Sequence, residues 1–222
     1  MTKKILIDEI ASKFRMIGMP PDLDERASKF LEVILKEVTK GSPVTQEKCY
    51  EIAAELNLSK EEIRSFIETS TERDKQGRIL GLFGLTQNEY AHKFEIDGEK
   101  LYAFCGWDTL FLPQLLMKTA KVEVVDHQSK ETIKIEISPE KVLSIFPPTA
   151  VLSIVIPEVE IENLAQVYGI FCSNVHFFAS EKNLRDWFEH REYNPLVISI
   201  EEGFALGTSL FGNIIENIHA GR

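Results

Sequence analysis

The sequence predicts an α+β protein in which a helical N-terminal module precedes a mixed β-sheet domain with flanking helices. Up to about residue 78, apolar residues recur with the spacing of amphipathic helices. From residue 79 onward, several short segments alternate apolar and polar residues, which is typical of strands with one face in water. We therefore expect two units, residues 1–78 and residues 79–222, and a chain of 222 residues can bury a sizeable core.

The N-terminal module is expected to begin with two helices. Apolar residues at helical spacing run from Ile5 to Ile17, and Gly18-Met-Pro-Pro21 ends this segment. Asp22 can cap the second helix, which Gly41-Ser-Pro43 ends. The predicted inner face of this helix consists of Ala27, Phe30, Leu31, Ile34, Leu35 and Val38.

Two shorter helices follow and give the module a winged-helix-like pattern. Thr45 opens the first, and Ser59 and Glu62 have the spacing of a capping box before the second. The stretch from Gly77 to Phe83 is expected to begin a wing. Residues 40–78 hold 7 basic and 8 acidic residues, whereas a DNA-reading wing is normally basic. We therefore interpret this part as a packing module with winged-helix-like geometry.

The second unit is expected to contain eight strands, which are alternating or β-branched segments bounded by turn residues. They are Ile79–Phe83, Lys93–Ile96, Lys100–Phe104, Lys121–Val125, Thr132–Ile137, Val151–Ile156, Asn174–Phe178 and Leu196–Ile200. Asp97-Gly98 marks a tight turn, and residues 126–131 are expected to form a hairpin loop. Four helices are expected: from about Asp108, bent or shortened by Pro113; from Ser138 or Pro139 to Ile145; from about Glu181 to His190; and from Glu202 to Ile218.

Composition argues against several classes of protein. The net charge of −10 and the pI near 5.1 disfavour general electrostatic binding of nucleic acid. No apolar run reaches the roughly 18 residues of a membrane span, and the N-terminus lacks a secretory apolar region. Three cysteines form an odd, sparse set that does not suit a disulfide scaffold. We expect a cytoplasmic protein that binds neither nucleic acid nor membrane.

Two of the three cysteines have surroundings that indicate a reactive site. Cys105 lies in Leu101-Tyr-Ala-Phe-Cys-Gly-Trp-Asp-Thr-Leu110, where Asp108 follows it by three residues. Cys172 lies in Ile170-Phe-Cys-Ser-Asn-Val-His-Phe-Phe178, 67 residues further along, which is too far for a Cys-x-x-Cys motif. If the fold brings them together, two thiols and one carboxylate form a site. Such a site suits a soft metal bound to a group that must be protonated.

The position of Cys105 favours reactivity, whereas the other residues also have plain structural explanations. Cys105 precedes a predicted helix whose dipole favours the thiolate. Asp108, taken alone, fits an N-cap of the helix from Thr109 onward. Cys172, taken alone, fits a core position, since free cysteine is among the most buried residue types. Cys49 has no partner at ligand spacing and is interpreted as structural.

Other catalytic motifs have little support. His176 has no second ligand in a His-x-His pattern and is interpreted as a structural histidine. The remaining histidines, which show no ligand spacing, are His92, His127, His190 and His219. Gly203-Phe-Ala-Leu-Gly207 has too few glycines for a phosphate-binding loop. The sequence therefore disfavours zinc chemistry, a Ser-His-Asp triad and nucleotide binding.

The two cysteine segments resemble the active-site segments of a known family, the organomercurial (alkylmercury) lyases. The segment Leu101–Leu110 with Pro113 is similar to the first, and Phe171-Cys-Ser-Asn-Val-His-Phe-Phe-Ala-Ser180 is similar to the second. Further similar segments in the family's order are Gly84-Leu-Thr86, His92-Lys-Phe94, Asp97-Gly98, Ser138-Pro139 and Glu202-Gly-Phe-Ala-Leu-Gly207. The resemblance covers about residues 40–212 and is weakest in the N-terminal helices.

The resemblance implies an enzyme that cleaves the carbon–mercury bond of alkyl or aryl mercury compounds by protonolysis, giving a hydrocarbon and Hg(II). It implies that Cys105 and Cys172 bind mercury as substrate and product, since thiolates are the soft ligands of proteins. Asp108 would carry the proton and is a candidate third ligand. The resemblance implies no added metal or organic cofactor. The expected partners are the organomercurial, small thiols and, as a candidate acceptor of Hg(II), mercuric reductase.

Two positions depart from the best-known pattern of the family. Ser173 stands where a third cysteine is frequent, and Asn174 stands where a histidine is frequent. A cysteine often found in the hairpin region is missing from residues 126–131. We expect activity to survive, with Ser173 weakening secondary capture of Hg(II). The residues expected to wall an aromatic pocket are Tyr102, Phe104, Trp107 and Phe171.

Three alternatives stay open at this point. One is a thiol-based carrier for soft metals that never breaks a carbon–mercury bond, although mere sequestration gives Asp108 no role. A regulator built on the winged-helix-like module is disfavoured by the near-neutral charge of residues 40–78. A redox pair of Cys105 and Cys172 is disfavoured because the Asp108 carboxylate opposes formation of a thiolate beside it.

Overall fold

In the computed structural model, which describes residues 3–156 and 164–220, the chain begins with four helices. They are α1 (Lys3–Met16), α2 (Glu25–Val38), α3 (Gln46–Glu55) and α4 (Lys60–Ser70). The Thr45 side chain caps α3 by accepting a hydrogen bond from the Lys48 N–H at 3.2 Å. Ser59 and Glu62 form the expected capping box at the start of α4.

The cap of α2 differs from the prediction. Asp24, and not Asp22, accepts a hydrogen bond from the Ala27 N–H at 2.8 Å. Asp24 directly precedes Glu25, the first helical residue, so its carboxylate stands at the N-cap position. Asp22 lies two residues before the N-cap position, so its side chain does not cap the helix.

An eight-stranded antiparallel sheet follows α4. Its strands are β1 (Thr71–Arg73), β2 (Ile79–Leu82), β3 (Leu85–Thr86), β4 (His92–Ile96), β5 (Glu99–Ala103), β6 (Ala120–Val125), β7 (Thr132–Ile137) and β8 (Val142–Phe146). Their order across the sheet is β1-β2-β3-β5-β4-β6-β7-β8. Buried side chains, most of them apolar, alternate with half-buried or exposed ones along β4, β6 and β7, so one face packs inward and the other meets water.

The remaining strands form a second, three-stranded antiparallel sheet. It contains β9 (Val151–Ile154), β10 (Phe177–Phe178) and β11 (Leu196–Ser199) in the order β10-β9-β11. The helices of this part of the chain are α5 (Asp108–Leu116), α6 (Leu164–Gln166), α7 (Glu181–Phe188) and α8 (Ile200–His219). Helix α6 continues as a π-helical turn over Val167–Phe171 and a 3-10 turn over Cys172–Asn174.

The predicted helix from Ser138 or Pro139 to Ile145 is wrong, because this segment forms a turn and β8. The Ser138 hydroxyl accepts hydrogen bonds from the Glu140 N–H at 3.2 Å and the Lys141 N–H at 3.1 Å. These bonds close a turn, after which β8 pairs antiparallel with β7. Ser-Pro-Glu resembles the start of a helix, but the turn bonds and the β-branched residues that follow favour a hairpin.

Three smaller details also differ from the prediction. The strand predicted over Asn174–Phe178 is reduced to Phe177–Phe178, because the 3-10 turn extends to Asn174. Strands β1 and β3 were not expected. Helix α5 continues past Pro113 to Leu116, so the proline does not end it. The other predicted strands and helices of residues 79–222 are present, with ends shifted by at most two residues.

One large apolar cluster links the N-terminal helices to the sheet and to α8. Helices α1 and α2 pack against α8, and buried residues of α1, α2, α5, α8 and the large sheet belong to one cluster. Val44 and Ile79 exchange backbone hydrogen bonds of 2.9 and 2.7 Å across the expected boundary. The division at residue 78 stays a prediction, and the core is continuous across it. Within the described part of the chain, no helix is both long and apolar enough to cross a membrane.

Candidate active site

Cys105 and Cys172 lie in two connecting segments that a backbone hydrogen bond joins. Cys105 lies between β5 and α5, and Cys172 begins the 3-10 turn. The Gly106 N–H donates to the Val175 carbonyl at 3.0 Å, which joins the two loops beside the cysteines. The Cys105 Sγ, the Cys172 Sγ and a carboxylate oxygen of Asp108 all lie within 4.8 Å of one another. The three residues singled out in the sequence therefore share one site.

Asp108 does not cap α5 with its side chain, so the plain N-cap explanation is wrong. It is the first residue of α5, and Trp107 at the N-cap position makes no side-chain capping bond. The Asp108 Oδ2 instead accepts a hydrogen bond from the Cys105 N–H at 2.8 Å. This bond holds the carboxylate beside the cysteine.

The three groups are buried, and burial sets their protonation. Burial raises the pKa of the Cys105 thiol well above its ordinary value, which outweighs the expected effect of the helix dipole. The hydrogen bond with Cys105 lowers the pKa of Cys172, but burial raises it, and the net pKa is raised. Burial also raises the pKa of Asp108 to about 6. At neutral pH the site therefore holds two neutral thiols beside a carboxylate that can accept one proton.

An apolar cavity of about 320 Å³ opens onto Asp108 and Cys172. Its aromatic wall residues are Phe66, Phe83, Phe104, Trp107, Phe111, Phe171 and Phe211. Residues of the segment Gly18–Leu23, between α1 and α2, form another side. Cavities of this size and character enclose small apolar ligands. The cavity suits an organic group attached to an atom that the thiols hold.

Tyr102 does not belong to this wall, which corrects one of the four aromatic expectations. It lies on β5 between the buried residues Leu101 and Ala103, so its side chain is on the opposite face of the sheet. There it lines a groove with Lys93 and Lys100. The wall residues on α4, the β2–β3 turn and α8 were not predicted, because no motif links these elements in the sequence.

Three histidines without ligand spacing in the sequence pack together in the fold. His92 and His176 stack with ring centroids 5.9 Å apart, and His176 meets His127 edge to face at 4.6 Å. Neither ring nitrogen of His92 has a hydrogen-bond partner, and burial lowers its pKa well below the ordinary value. Burial also lowers the pKa of His176 to about 4. These neutral rings pack as aromatic groups. Within residues 3–156 and 164–220, the group whose three possible metal-ligand atoms lie within 4.8 Å of one another is Cys105, Asp108 and Cys172.

Ser173 and Asn174 stabilise the backbone next to Cys172, whereas Cys49 lies outside the site. The Ser173 hydroxyl donates to the Gly169 carbonyl at 2.9 Å, and the Asn174 amide donates to the Ile170 carbonyl at 3.2 Å. Both bonds stabilise the turns that carry the second cysteine. Cys49 is buried on α3, where burial raises its pKa to about 11, and it lies outside the trio.

Comparisons with known proteins agree on one family. The family model for alkylmercury lyase (MerB) matches residues 85–212. An alkylmercury lyase of Staphylococcus epidermidis is 39% identical over 180 residues, which cover 80% of this chain and 79% of that protein. Alkylmercury lyases of Streptomyces lividans and Pseudomonas putida are 35% and 32% identical, and the latter match covers 98% of this chain and 97% of that protein.

A solved structure shows the same fold. The chain is similar to a structure described as the mercury-bound form of MerB2, with a TM-score of 0.75. The match covers 93% of this chain and 99% of that chain at 18% sequence identity. At this identity the likeness supports the mixed α+β architecture alone.

Proposed function

The chain belongs to the alkylmercury lyase family, and we propose that Cys105, Asp108 and Cys172 perform its carbon–mercury bond cleavage. As an organomercurial lyase, the protein converts an organomercurial into a hydrocarbon and Hg(II). One observation carries the assignment of the three residues. Two thiols and a carboxylate lie within 4.8 Å of one another at the end of an apolar cavity.

The first step is transfer of the organomercury group to a protein thiol. Mercury is soft and prefers thiolate ligands. Cys172 lines the cavity, whereas Cys105 lies behind it with no exposed surface. We infer that Cys172 displaces the thiol that brings the substrate, and that the departing thiol leaves with the proton of Cys172. The mercury then carries its organic group and one cysteine sulfur.

The second step uses the carboxylate twice. Asp108 takes the proton of Cys105 as this sulfur binds mercury, because its pKa of about 6 leaves it ionised at neutral pH. Coordination by two thiolates increases electron density on the carbon. Asp108 then gives the proton to this carbon, the carbon–mercury bond breaks, and the hydrocarbon leaves. Mercury stays as Hg(II) on two sulfurs, and Asp108 is again a carboxylate.

The apolar cavity holds the organic group and excludes water during proton transfer. Its aromatic walls lie next to Asp108, so the carbon attached to mercury is placed near the proton donor. Water in this space would compete for the proton and weaken the electrostatic interactions of the site.

We propose that the Hg(II) product leaves on small thiols, with mercuric reductase as a candidate acceptor. We also infer that α3, α4 and the β1–β2 hairpin are a winged-helix-like module used for packing. In support, Ile52 of α3 and Ile63 and Ile67 of α4 are buried in the apolar core that they share with the sheet.

Hydrocarbon release from methylmercury in excess small thiol tests the three assignments. Cys105→Ser and Cys172→Ser should abolish methane release, because each variant leaves mercury with one protein thiolate. Asp108→Ala should still bind mercury, measured after gel filtration, but should release no methane. Cys49→Ser is the matched control and should release methane at the wild-type rate, since Cys49 lies outside the site.

Two results would contradict the proposal. Full methane release by Cys172→Ser would exclude a mechanism with two thiolates. A wild-type protein that holds mercury and releases no hydrocarbon would be a carrier rather than a lyase.

A further inference from the structure

A glycine turn packs directly against the carboxyl of Asp108. Phe83 and Gly84 connect β2 to β3, and both have positive φ, 52° for Phe83 and 91° for Gly84. Two such residues form the tight turn that antiparallel hairpins favour. The Gly84 carbonyl also accepts a hydrogen bond from the Phe104 N–H at 2.9 Å, which fixes the turn to the chain just before Cys105.

The space beside Gly84 admits no side chain. A Cβ atom at this position would lie 2.6 Å from the Asp108 Cγ, and 2.7 Å from both its Cβ and its Oδ1. Non-bonded carbon atoms normally approach to about 3.5–4.0 Å. Asp108 cannot move away freely, because it is buried and its Oδ2 accepts the Cys105 N–H. The carboxyl is therefore confined between this N–H group and the glycine turn.

We propose that Gly84 is a positioning residue for carbon–mercury cleavage, whose missing side chain lets the β2–β3 turn hold the Asp108 carboxyl at the two thiols. The catalytic part of this inference rests on the proposed function. The turn fills one side of the carboxyl and keeps water from it. The other side stays open to Cys105 and the cavity.

Gly84 should affect proton transfer without affecting mercury binding. A methyl group at position 84 must displace the carboxyl or the turn, which misplaces the proton donor. The two sulfurs are held by other elements, namely the loop after β5 and the 3-10 turn. Hg(II) binding by the two cysteines should therefore survive a change that impairs cleavage.

The first experiment compares Gly84→Ala with Gly98→Ala. Gly98 has a similar φ of 83°, but a Cβ atom added there would meet no heavy atom within 4 Å, so this variant introduces the same backbone strain without the contact. Gly84→Ala should lower the turnover of methylmercury on the order of 100-fold and retain stoichiometric Hg(II) binding. It should also move the acidic limb of the pH–rate profile to lower pH, because water reaches the carboxyl. Gly98→Ala should leave turnover and profile unchanged.

Wild-type turnover and an unchanged pH profile in Gly84→Ala would overturn the proposal. Equal loss of turnover in Gly98→Ala would also overturn it, because backbone strain would then explain the effect. Parallel loss of Hg(II) binding and turnover in Gly84→Ala would show a general structural role instead.

A second measurement does not depend on catalysis. Thermal unfolding of Gly84→Ala is compared in the wild-type background and in an Asp108→Gly background, which removes all three clashing atoms. The loss of melting temperature beyond that of Gly98→Ala should disappear in the second background. If Gly84→Ala folds only with Asp108→Gly, the contact is supported. If it fails to fold in both, the glycine is required for another reason and the proposal is wrong. Absence of lyase activity in the wild-type protein would refute the proposed function but not this contact.

Discussion

The carboxylate of Asp108 is ionised at neutral pH, although its buried surroundings destabilise a charge. Its side chain is buried at the end of an apolar cavity, and burial raises its pKa from 3.8 to about 6. Below about pH 4 the carboxyl is protonated in both the folded and the unfolded protein, so burial carries no electrostatic penalty. As the pH rises from about 4 to about 6, the unfolded protein releases this proton while the folded protein keeps it, so stability falls across this range and stays low above it. The residue that the mechanism needs in ionised form therefore destabilises the fold at neutral pH.

Replacing this carboxyl by a neutral amide should stabilise the protein. Asp108→Asn should raise the free energy of unfolding at pH 7.5 by up to about 3 kcal/mol, which is the free-energy equivalent of the raised pKa. The gain should shrink towards zero below about pH 4, and methane release should be lost at every pH. Urea unfolding of the wild-type protein and the variant at several pH values measures this difference.

Asp126→Asn is the control with the opposite sign. Burial raises the pKa of Asp126, but this effect is outweighed by hydrogen bonds from Ala179, Asn183, Gln128 and Ser129. The pKa of Asp126 is therefore lowered overall. This variant should lose stability at pH 7.5, and the loss should fade as the pH drops. A loss of stability at pH 7.5 in Asp108→Asn as well would show that the amide cannot replace the packing of the carboxyl.

At the residue scale, spacing predicted part of the site. Cys105 and Asp108 are three residues apart, so a strand-to-helix junction was enough to bring them together. The approach of Cys172 depends on the β9–β10 pairing and the Gly106–Val175 hydrogen bond, and no local pattern encodes these contacts. The sequence marked Gly84 only as part of a family-like segment, and gave no hint of its proposed role, because a glycine in a turn looks the same whether or not a carboxyl lies against it.

At the element scale, α5 is placed by its contact with α8. Two glycines of α8, four residues apart, face α5 with no side chain between the helices. A Cβ at Gly203 would lie 2.7 Å from the Leu110 Cδ1, and one at Gly207 would lie 2.8 Å from the Phe111 Cβ. The close approach fixes the helix whose first residue is Asp108. The segment Glu202–Gly207 therefore has a packing role that its sparse glycines did not reveal.

Gly207→Ala should destabilise the protein, although alanine normally favours a helix. The new methyl group overlaps the Phe111 Cβ, which is too close to the backbone to rotate away, so overpacking should cost about 1–3 kcal/mol. Gly212→Ala is the matched control on the same helix, because no heavy atom lies within 4 Å of its Cβ position. This control should gain about 0.5–1 kcal/mol. Denaturant unfolding compares the two variants, and equal behaviour would argue against the close helix contact.

Element prediction failed where a turn decided the outcome. Residues 138–145 have a helix-like start, yet the Ser138 hydroxyl bonds to two following N–H groups and directs the chain into β8. The π-helical and 3-10 turns before Val175 lack a sequence period, so the strand predicted from Asn174 begins three residues late. The amphipathic helices and the alternating strands were predicted because their burial follows a regular period.

For the whole molecule, the N-terminal helices form part of the support of the active site. Phe14 of α1 stacks on Trp107 with ring centroids 5.5 Å apart and meets Phe171 edge to face at 5.3 Å. These two neighbours directly precede Asp108 and Cys172 in the chain. One ring from the first helix thus packs beneath both segments that carry the chemistry, a contact between distant residues that no single segment of the sequence predicts.

Phe14→Ala should therefore impair stability and catalysis together. Removal of a fully buried aromatic ring costs about 3–5 kcal/mol, and Phe14 has no exposed surface. The cavity left behind would let Trp107 and Phe171 move, which should separate the carboxylate from the thiols and lower methane release even at temperatures where the variant stays folded. Met16→Ala on the same helix is the control, since Met16 is 82% exposed and should change neither property. Urea unfolding measures stability, and methane release is compared at one temperature, well below the midpoint of thermal unfolding of each protein. If folded Phe14→Ala released methane at the wild-type rate, α1 would contribute to stability but not to the geometry of the site.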